Sequence, residues 1–260
     1  MINKKNQIEP FHIWEGMYPD FQSALAYAKG TGFSSEIYRT RSLQAATECL
    51  AALKLDKPIP VFYKQRSTYL PITVVMMLEN KKQVNVLDFG GGLGIGYMTL
   101  AESMPADLKR ISYNIVEVAE VCQTGMGMHG DGIVYRSDLP TSGKFDLIHA
   151  SSSLQYVENW KELLTSFAAL KPKYILLSDV FAGRIKSFVT LQNYYENKIP
   201  HWFLNLNELL KSLDSVGYRL AMKSYVTSRR LNVEDALTMD NFPEKSRLEQ
   251  TLHLLFRKNK

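Results

Sequence analysis

The sequence predicts an α/β protein built on a mostly parallel sheet, and three observations predict it. From residue 84 onward, apolar runs of strand length alternate with helical patterns, the order that sandwiches a parallel sheet between helices. The first run, Val84-Asn85-Val86-Leu87-Asp88-Phe89, passes directly into Gly90-Gly91-Gly92-Leu93-Gly94 and then into a helical pattern at Ile95, Tyr97, Met98, Leu100 and Ala101. The composition, 45% hydrophobic and 22% charged over 260 residues, is a globular balance that can fill a large core.

In chain order, residues 1–13 read as a loose lead-in. Trp14-Glu15-Gly16-Met17-Tyr18-Pro19 reads as a turn-rich aromatic segment. Asp20 is a candidate N-cap for a helix over 21–29, which Gly30-Thr31-Gly32 ends. Ser34 opens a longer helical pattern to about residue 55, with Ile37, Leu43, Ala46, Leu50 and Leu53 on its apolar positions. Pro58 and Pro60 break it, and another helix is expected over 71–79. Residues 1–80 thus read as a helical cap or lid on a domain of residues 81–260.

In that domain, strands are expected at 84–89, 112–118, 133–136, 145–150, 174–178, 219–226 and 251–257. Helices are expected at 119–124, 160–170, 185–196 and 206–216. Ligands of open α/β sheets bind beyond the carboxyl ends of the strands, so the residues there are the ones to weigh.

Several classes are excluded by composition. The net charge of +5 is spread along the chain, +2 in residues 1–80, zero in 81–222 and +3 in 223–260, so no basic face points to nucleic acid. The only cysteines, Cys49 and Cys122, form no CxxC pair. That argues against a disulfide framework and suits a reducing cytoplasm. No apolar run reaches the ~20 residues of a membrane helix, and no metal-ligand spacing stands out.

The glycine turn separates two cofactor chemistries. A dinucleotide fingerprint needs G-x-G-x-x-G; counted from Gly90 the sixth residue is Ile95, and from Gly92 it is Tyr97. The pattern present is acid-x-G-x-G-x-G, starting at Asp88 with Gly90, Gly92 and Gly94. It resembles the first motif of the Rossmann-like S-adenosylmethionine (SAM) methyltransferases. SAM has an ammonium group and no pyrophosphate, and a carboxylate at the strand end stabilises that cation directly or through the loop. The bland alternative is a glycine turn without a ligand. The resemblance implies a seven-strand methyltransferase sheet, mostly parallel with the last strand antiparallel.

On this reading Asp88, Gly90, Gly91, Gly92 and Gly94 bind the cofactor. Glu117, after the second strand, accepts hydrogen bonds from the ribose hydroxyls. Asp138 either meets the adenine amino group or makes a plain turn with Ser137 and Pro140. Phe145 through Tyr156 resembles the family's fourth motif, where Ser151 lets SAM approach the backbone and Gln155 and Tyr156 are cofactor- or substrate-facing. Asp146 reads as a strand-entry residue, and His149 as a satisfied core histidine. Arg66 either pairs with the SAM carboxylate or makes a surface salt bridge. For an alcohol or amine acceptor, His201, Asp179 and Tyr156 are the candidate proton acceptors. His201 would lie in a loop able to swing over the methyl, with Trp202 stacking on a sugar; the alternative is an exposed His201 and a packing Trp202.

Most of the chain also resembles a family of methyltransferases found among bacterial surface-polysaccharide and lipopolysaccharide genes. The pieces that carry this are Trp14-Glu15-Gly16-Met17-Tyr18, Val61 through Ser67, Asn85–Gly94, Asn114-Ile115-Val116-Glu117, Ser151–Tyr156, Thr190-Leu191-Gln192 and Pro200-His201-Trp202-Phe203. Relatives have Arg-Asp-Ser where this chain has Gln65-Arg66-Ser67, and a small residue where it has His201, so the family does not imply His201 as a catalyst. The resemblance implies SAM-dependent methylation of oxygen or nitrogen on a sugar-containing acceptor. The alternatives are a small aromatic or lipid acceptor, and a non-catalytic SAM-binding regulator or scaffold.

Overall fold

A computed structural model describes residues 11–226 and 237–259; most of the lead-in expected over 1–13, residues 1–10, lies outside them. The chain opens with a strand, β1 (Trp14–Tyr18), where the sequence suggested a turn-rich segment. Asp20 caps α1 (Phe21–Leu25), its side chain accepting from Ser23 N at 2.8 Å. That helix stops short of residue 29 because Lys29 instead exchanges backbone hydrogen bonds with Lys198. Ser35, one residue later than expected, caps α2 (Glu36–Lys54). Two more helices follow, α3 (Val61–Lys64) and α4 (Tyr69–Leu78).

The alternating region follows its expected order: β2 (Val84–Phe89), α5 (Ile95–Ser103), β3 (Ile111–Val116), α6 (Ala119–Gly125), β4 (Ile133–Arg136), β5 (Leu147–Ser151), α7 (Trp160–Ala169) and β6 (Tyr174–Val180). Then come β7 (Ala182–Gly183), β8 (Phe188–Tyr194), β9 (Asn197–Asn205), α8 (Leu206–Ser215), β10 (Tyr218–Val226) and β11 (Thr251–Lys258).

Seven of these strands form one sheet in the order β10-β11-β6-β5-β2-β3-β4. β2 to β6 pair in parallel, while β11 is antiparallel to both β6 and β10. The reversed last strand is thus as expected. The central strands are buried on both faces: Leu87, Ile148, Ile175 and Leu177 pack with α7 and α8, and Val86, Ile115, Leu147 and Leu176 with α4 and α5. The strand order reverses between β2 and β5, which opens a crevice at their carboxyl ends.

The remaining strands form a second sheet, β1-β8-β9-β7. Here the expected helix over 185–196 is instead most of a hairpin, β8 paired antiparallel with β9 from Phe188↔Phe203 to Tyr194↔Asn197. The physical reason is burial on both faces. Phe188 packs with Trp14 and Phe203, while Val189 and Leu191 pack with Phe21 and Ala24. A strand covered on both sides reads as a continuous apolar run and loses its period of two. β1 adds to the hairpin's outer edge, Trp14 opposite Gln192 and Tyr18 opposite Val189, so residues 1–80 are not wholly helical.

Candidate active site

The glycine turn between β2 and α5 is shaped by what lies on either side of it. Behind it, a Cβ on Gly91 would come within 2.6 Å of Asp88 Oδ2, so only glycine lets the turn fold over that carboxylate. In front, Gly92 has φ +57°, and a Cβ there would meet no protein atom within 4 Å: this side faces open space. Ser153 Oγ donates to Phe89 O at 2.9 Å and ties the turn to the segment after β5.

Glu117 follows β3 and reaches the same turn. Its Oε1 accepts from Gly92 N at 3.2 Å and its Oε2 from Val118 N at 2.9 Å. Burial raises the pKa of this carboxyl, opposed by the two backbone N–H groups. The ends of β5 and β6 carry two residues in the left-handed region, Ser152 at φ +52° and Asp179 at φ +53°. Such backbone collects at sites where the surrounding structure enforces it; here Ser152 N donates to Ser178 O at 2.8 Å.

The turn and the end of β5 open on one cleft of about 450 Å³. Its sheet side is Asp88, Gly90, Gly91, Gly92, His149, Ser151 and Ser152. The helical segments contribute Phe33, Tyr38, Arg41, Phe62, Tyr63 and Arg66, and the opposite wall is Tyr156, Phe181, Gln192, Tyr194 and Ile199. The volume is that of a small-molecule site. Residues 59–223 match the family model described as a methyltransferase domain. The chain belongs to that methyltransferase family.

No curated protein matches this chain. Among solved structures, it resembles the 1,6-didemethyltoxoflavin-N1-methyltransferase of Burkholderia thailandensis, solved with 1,6-didemethyltoxoflavin and S-adenosylhomocysteine. The match has 13% identity, covers 90% of this chain and 94% of that one, and has a TM-score of 0.50. It also resembles the magnesium protoporphyrin IX methyltransferase of Synechocystis PCC 6803, solved with SAM, at 16% identity over 76% of this chain and 81% of that one, TM-score 0.48. At these identities the likeness is one of fold.

The methyltransferase cleft gathers Asp88, Gly90, Gly91, Gly92, Ser151, Tyr156 and Arg66, with Glu117 bonded to the turn. It does not gather the rest of the expected set. Gly94 is the N-cap residue of α5, where a Cβ would strike Ile133 and His129. Asp138 is exposed, accepts from Ser137 Oγ, and lines a separate recess with Ala119, Cys122 and Tyr135. Gln155 is buried and donates to Ser152 Oγ at 3.2 Å. Asp179 lies fully buried in β6, where Oδ1 accepts from Thr251 Oγ1 at 2.5 Å and Oδ2 stands 3.1 Å from Arg66 Nε.

Two placements need correction. His201 is not in a loop: it lies in β9, fully buried, its ring 5.2 Å from Tyr156 and 4.4 Å from Phe181, the two cleft residues in front of it. Trp202 takes its packing alternative instead of stacking on a sugar: it lies near Phe21, donates to Glu158 O at 3.3 Å and does not line the cleft. Asp146 does sit at strand entry, bonded to Lys81 and to Asn85 N.

Sequence reasoning missed the β8 wall and His149. His149 is not an ordinary core residue: its Nδ1 lies 2.8 Å from Asp88 Oδ1. The signal was a polar residue inside an apolar strand, aligned in register with the acid of the neighbouring strand.

Proposed function

We propose that this methyltransferase transfers the methyl group of SAM to an oxygen or nitrogen of a small, ring-bearing, sugar-containing acceptor in surface glycan synthesis. One observation carries the reading: the acid-and-glycine turn and a wall of aromatic rings share a single cleft. The residues fit SAM. The open side of Gly92 leaves room against the backbone, and Glu117, bonded to the turn through Gly92 N, is the acceptor assigned to the ribose hydroxyls. Arg66, 39% exposed at its side chain and lining the cleft, is the partner assigned to the carboxylate of the amino-acid end. Bound there, SAM supplies an activated methyl group for in-line displacement.

The chain's own residues supply alignment and exclusion of water. Tyr156 is the proton-handling candidate that lines the cleft. Its Oη donates to Gln192 Oε1 at 2.5 Å, and a phenol oxygen is also able to accept from a hydroxyl. Asp179 serves this reaction by holding Arg66, and His201 by backing Tyr156. Residues 1–80 act as the cap, since Phe33, Tyr38, Arg41, Phe62 and Tyr63 close the cleft opposite the turn. Cys49 and Cys122 are both buried and unbridged, which supports action in a reducing cytoplasm.

The sugar in this reading rests on the resemblance to surface-polysaccharide methyltransferases; the ring-lined wall suits a sugar face and equally a flat aromatic acceptor. The test is SAM-dependent mass gain of one methyl group across nucleotide sugars, glycans and aromatic alcohols and amines. A methylated sugar supports the proposal, and methylation confined to aromatics replaces it. SAM binding with no transfer to any acceptor leaves a SAM-binding regulator.

A further inference from the structure

The floor of the cleft holds a charge problem. Asp88 is buried in the middle of the sheet, and among the described residues no Lys or Arg pairs with it. It is held from two sides. Tyr113 Oη donates to Oδ2 at 2.6 Å, and burial beside this carboxylate raises the pKa of the phenol, keeping it a neutral donor. On the other side His149 Nδ1 stands 2.8 Å from Oδ1. Beyond that contact, Oδ1 and both ring nitrogens of His149 have no hydrogen-bond partner among the described residues. Buried polar atoms left in this state point to a ligand or ordered water.

Glycines let the turn and α5 come close to Oδ2, while Oδ1 is left to His149. Cβ atoms on Gly91 and Gly96 would lie 2.6 Å and 3.0 Å from Oδ2, so the group is clamped between the turn, α5 and the sheet. Asp88 and His149 both line the cleft beside Arg66 and Ser151.

We propose that His149 is a positioning residue for SAM, acting through Asp88. It holds the Asp88 carboxylate at the cleft floor as the counter-charge for the cationic methionine end of the cofactor. This rests on the SAM reading above, which already turns Asp88 toward that cation, and adds His149 to it. A buried carboxylate without a fixed cation is costly, and a cationic ligand offsets that cost. The selectivity is then for a ligand carrying the amino-acid end and the sulfonium, over the same adenosine without them.

The experiment compares SAM with 5′-methylthioadenosine, a neutral thioether that keeps the adenosine and lacks the amino-acid end. Calorimetry on His149→Leu should show SAM binding weakened about 10- to 100-fold, the size of one charged hydrogen bond, with methylthioadenosine affinity within about twofold of the parent. His149→Asn, which restores a donor near the Nδ1 position, should recover most of the SAM affinity. If His149→Leu does not fold, the same comparison is read on His149→Gln. Equal weakening of both ligands makes His149 merely structural and overturns the proposal; unchanged SAM affinity overturns it as well. A parent protein that binds neither ligand instead refutes the SAM reading itself.

Discussion

The seven-stranded sheet buries several ionisable groups, Asp88, His149, Asp179 and His253, whereas the four-stranded sheet buries mostly rings, Trp14, Phe188 and Phe203, with His201 among them. The first sheet is local in construction: each parallel strand is followed within a few residues by the segment that serves the site. The second joins β1 to a hairpin more than 160 residues later. The difference separates two tasks. Charged groups fixed by a parallel sheet suit a charged cofactor. A wall of aromatic and amide side chains, Tyr156, Gln192 and Tyr194 among them, suits an acceptor that must be aligned.

The strongest way to break this division is to damage the aromatic sheet alone. Trp14 is fully buried, its ring 5.5 Å from both Phe181 and Phe203. Trp14→Ala should cost about 3–5 kcal/mol in urea denaturation, the usual range for emptying such a site. SAM affinity of the folded fraction should stay within about twofold, because the glycine turn is untouched. A parallel loss of SAM binding would show that the two sheets do not act separately.

Acid should find the other sheet. His253, 2% exposed in β11, has its pKa pushed down to about 4 by burial, with nearby His149 lowering it further and Asp179 opposing. An imidazole whose folded pKa lies below its unfolded one takes up a proton on unfolding, so the unfolded state is favoured between those values. Stability should fall as pH drops from about 6.5 to about 4, by about 3 kcal/mol in total from this group. Above pH 6.5 its contribution is flat. Denaturation curves of His253→Asn should lose that part of the slope; an identical pH profile would place the acid sensitivity elsewhere.

On the cofactor side, Glu117→Ala removes the acceptor proposed for the ribose hydroxyls and should weaken SAM by about 2–3 kcal/mol. Circular dichroism should show the fold intact, since the residue follows β3 and fills no core. Unchanged affinity in that folded variant would remove Glu117 from the site. The smallest effect is expected on the acceptor side: Tyr156→Phe should lower turnover by about 10- to 100-fold through lost alignment and proton acceptance, with SAM affinity unchanged.

The same contrast explains what was legible in the sequence. β2, its glycine turn and Glu117 could be read because a short buried run followed by glycines is a local pattern. The β8–β9 hairpin could not, because Phe188 and Val189 are buried on opposite faces and its partner β1 lies at the far end of the chain. Pro200, just before His201, does not break the strand. It sits within β9 opposite Leu191, away from the short stretch where β7 pairs at Leu204 and Asn205, so its missing N–H is tolerated. His149 was passed over since its significance lies across the strand pair, in the register that sets it beside Asp88. For Asp138 the sequence leaves an adenine contact and a plain turn open, and the structure shows an exposed aspartate beside a separate recess.

The central claim is that the glycine turn of the seven-stranded sheet is a SAM site. Isothermal titration of the intact chain with SAM and with NAD tests it most directly. The acid-x-G-x-G-x-G turn, the Glu117 carboxylate and the clamped Asp88 predict saturable heat with SAM and none with NAD; binding of NAD alone, or no heat from SAM, would contradict the account.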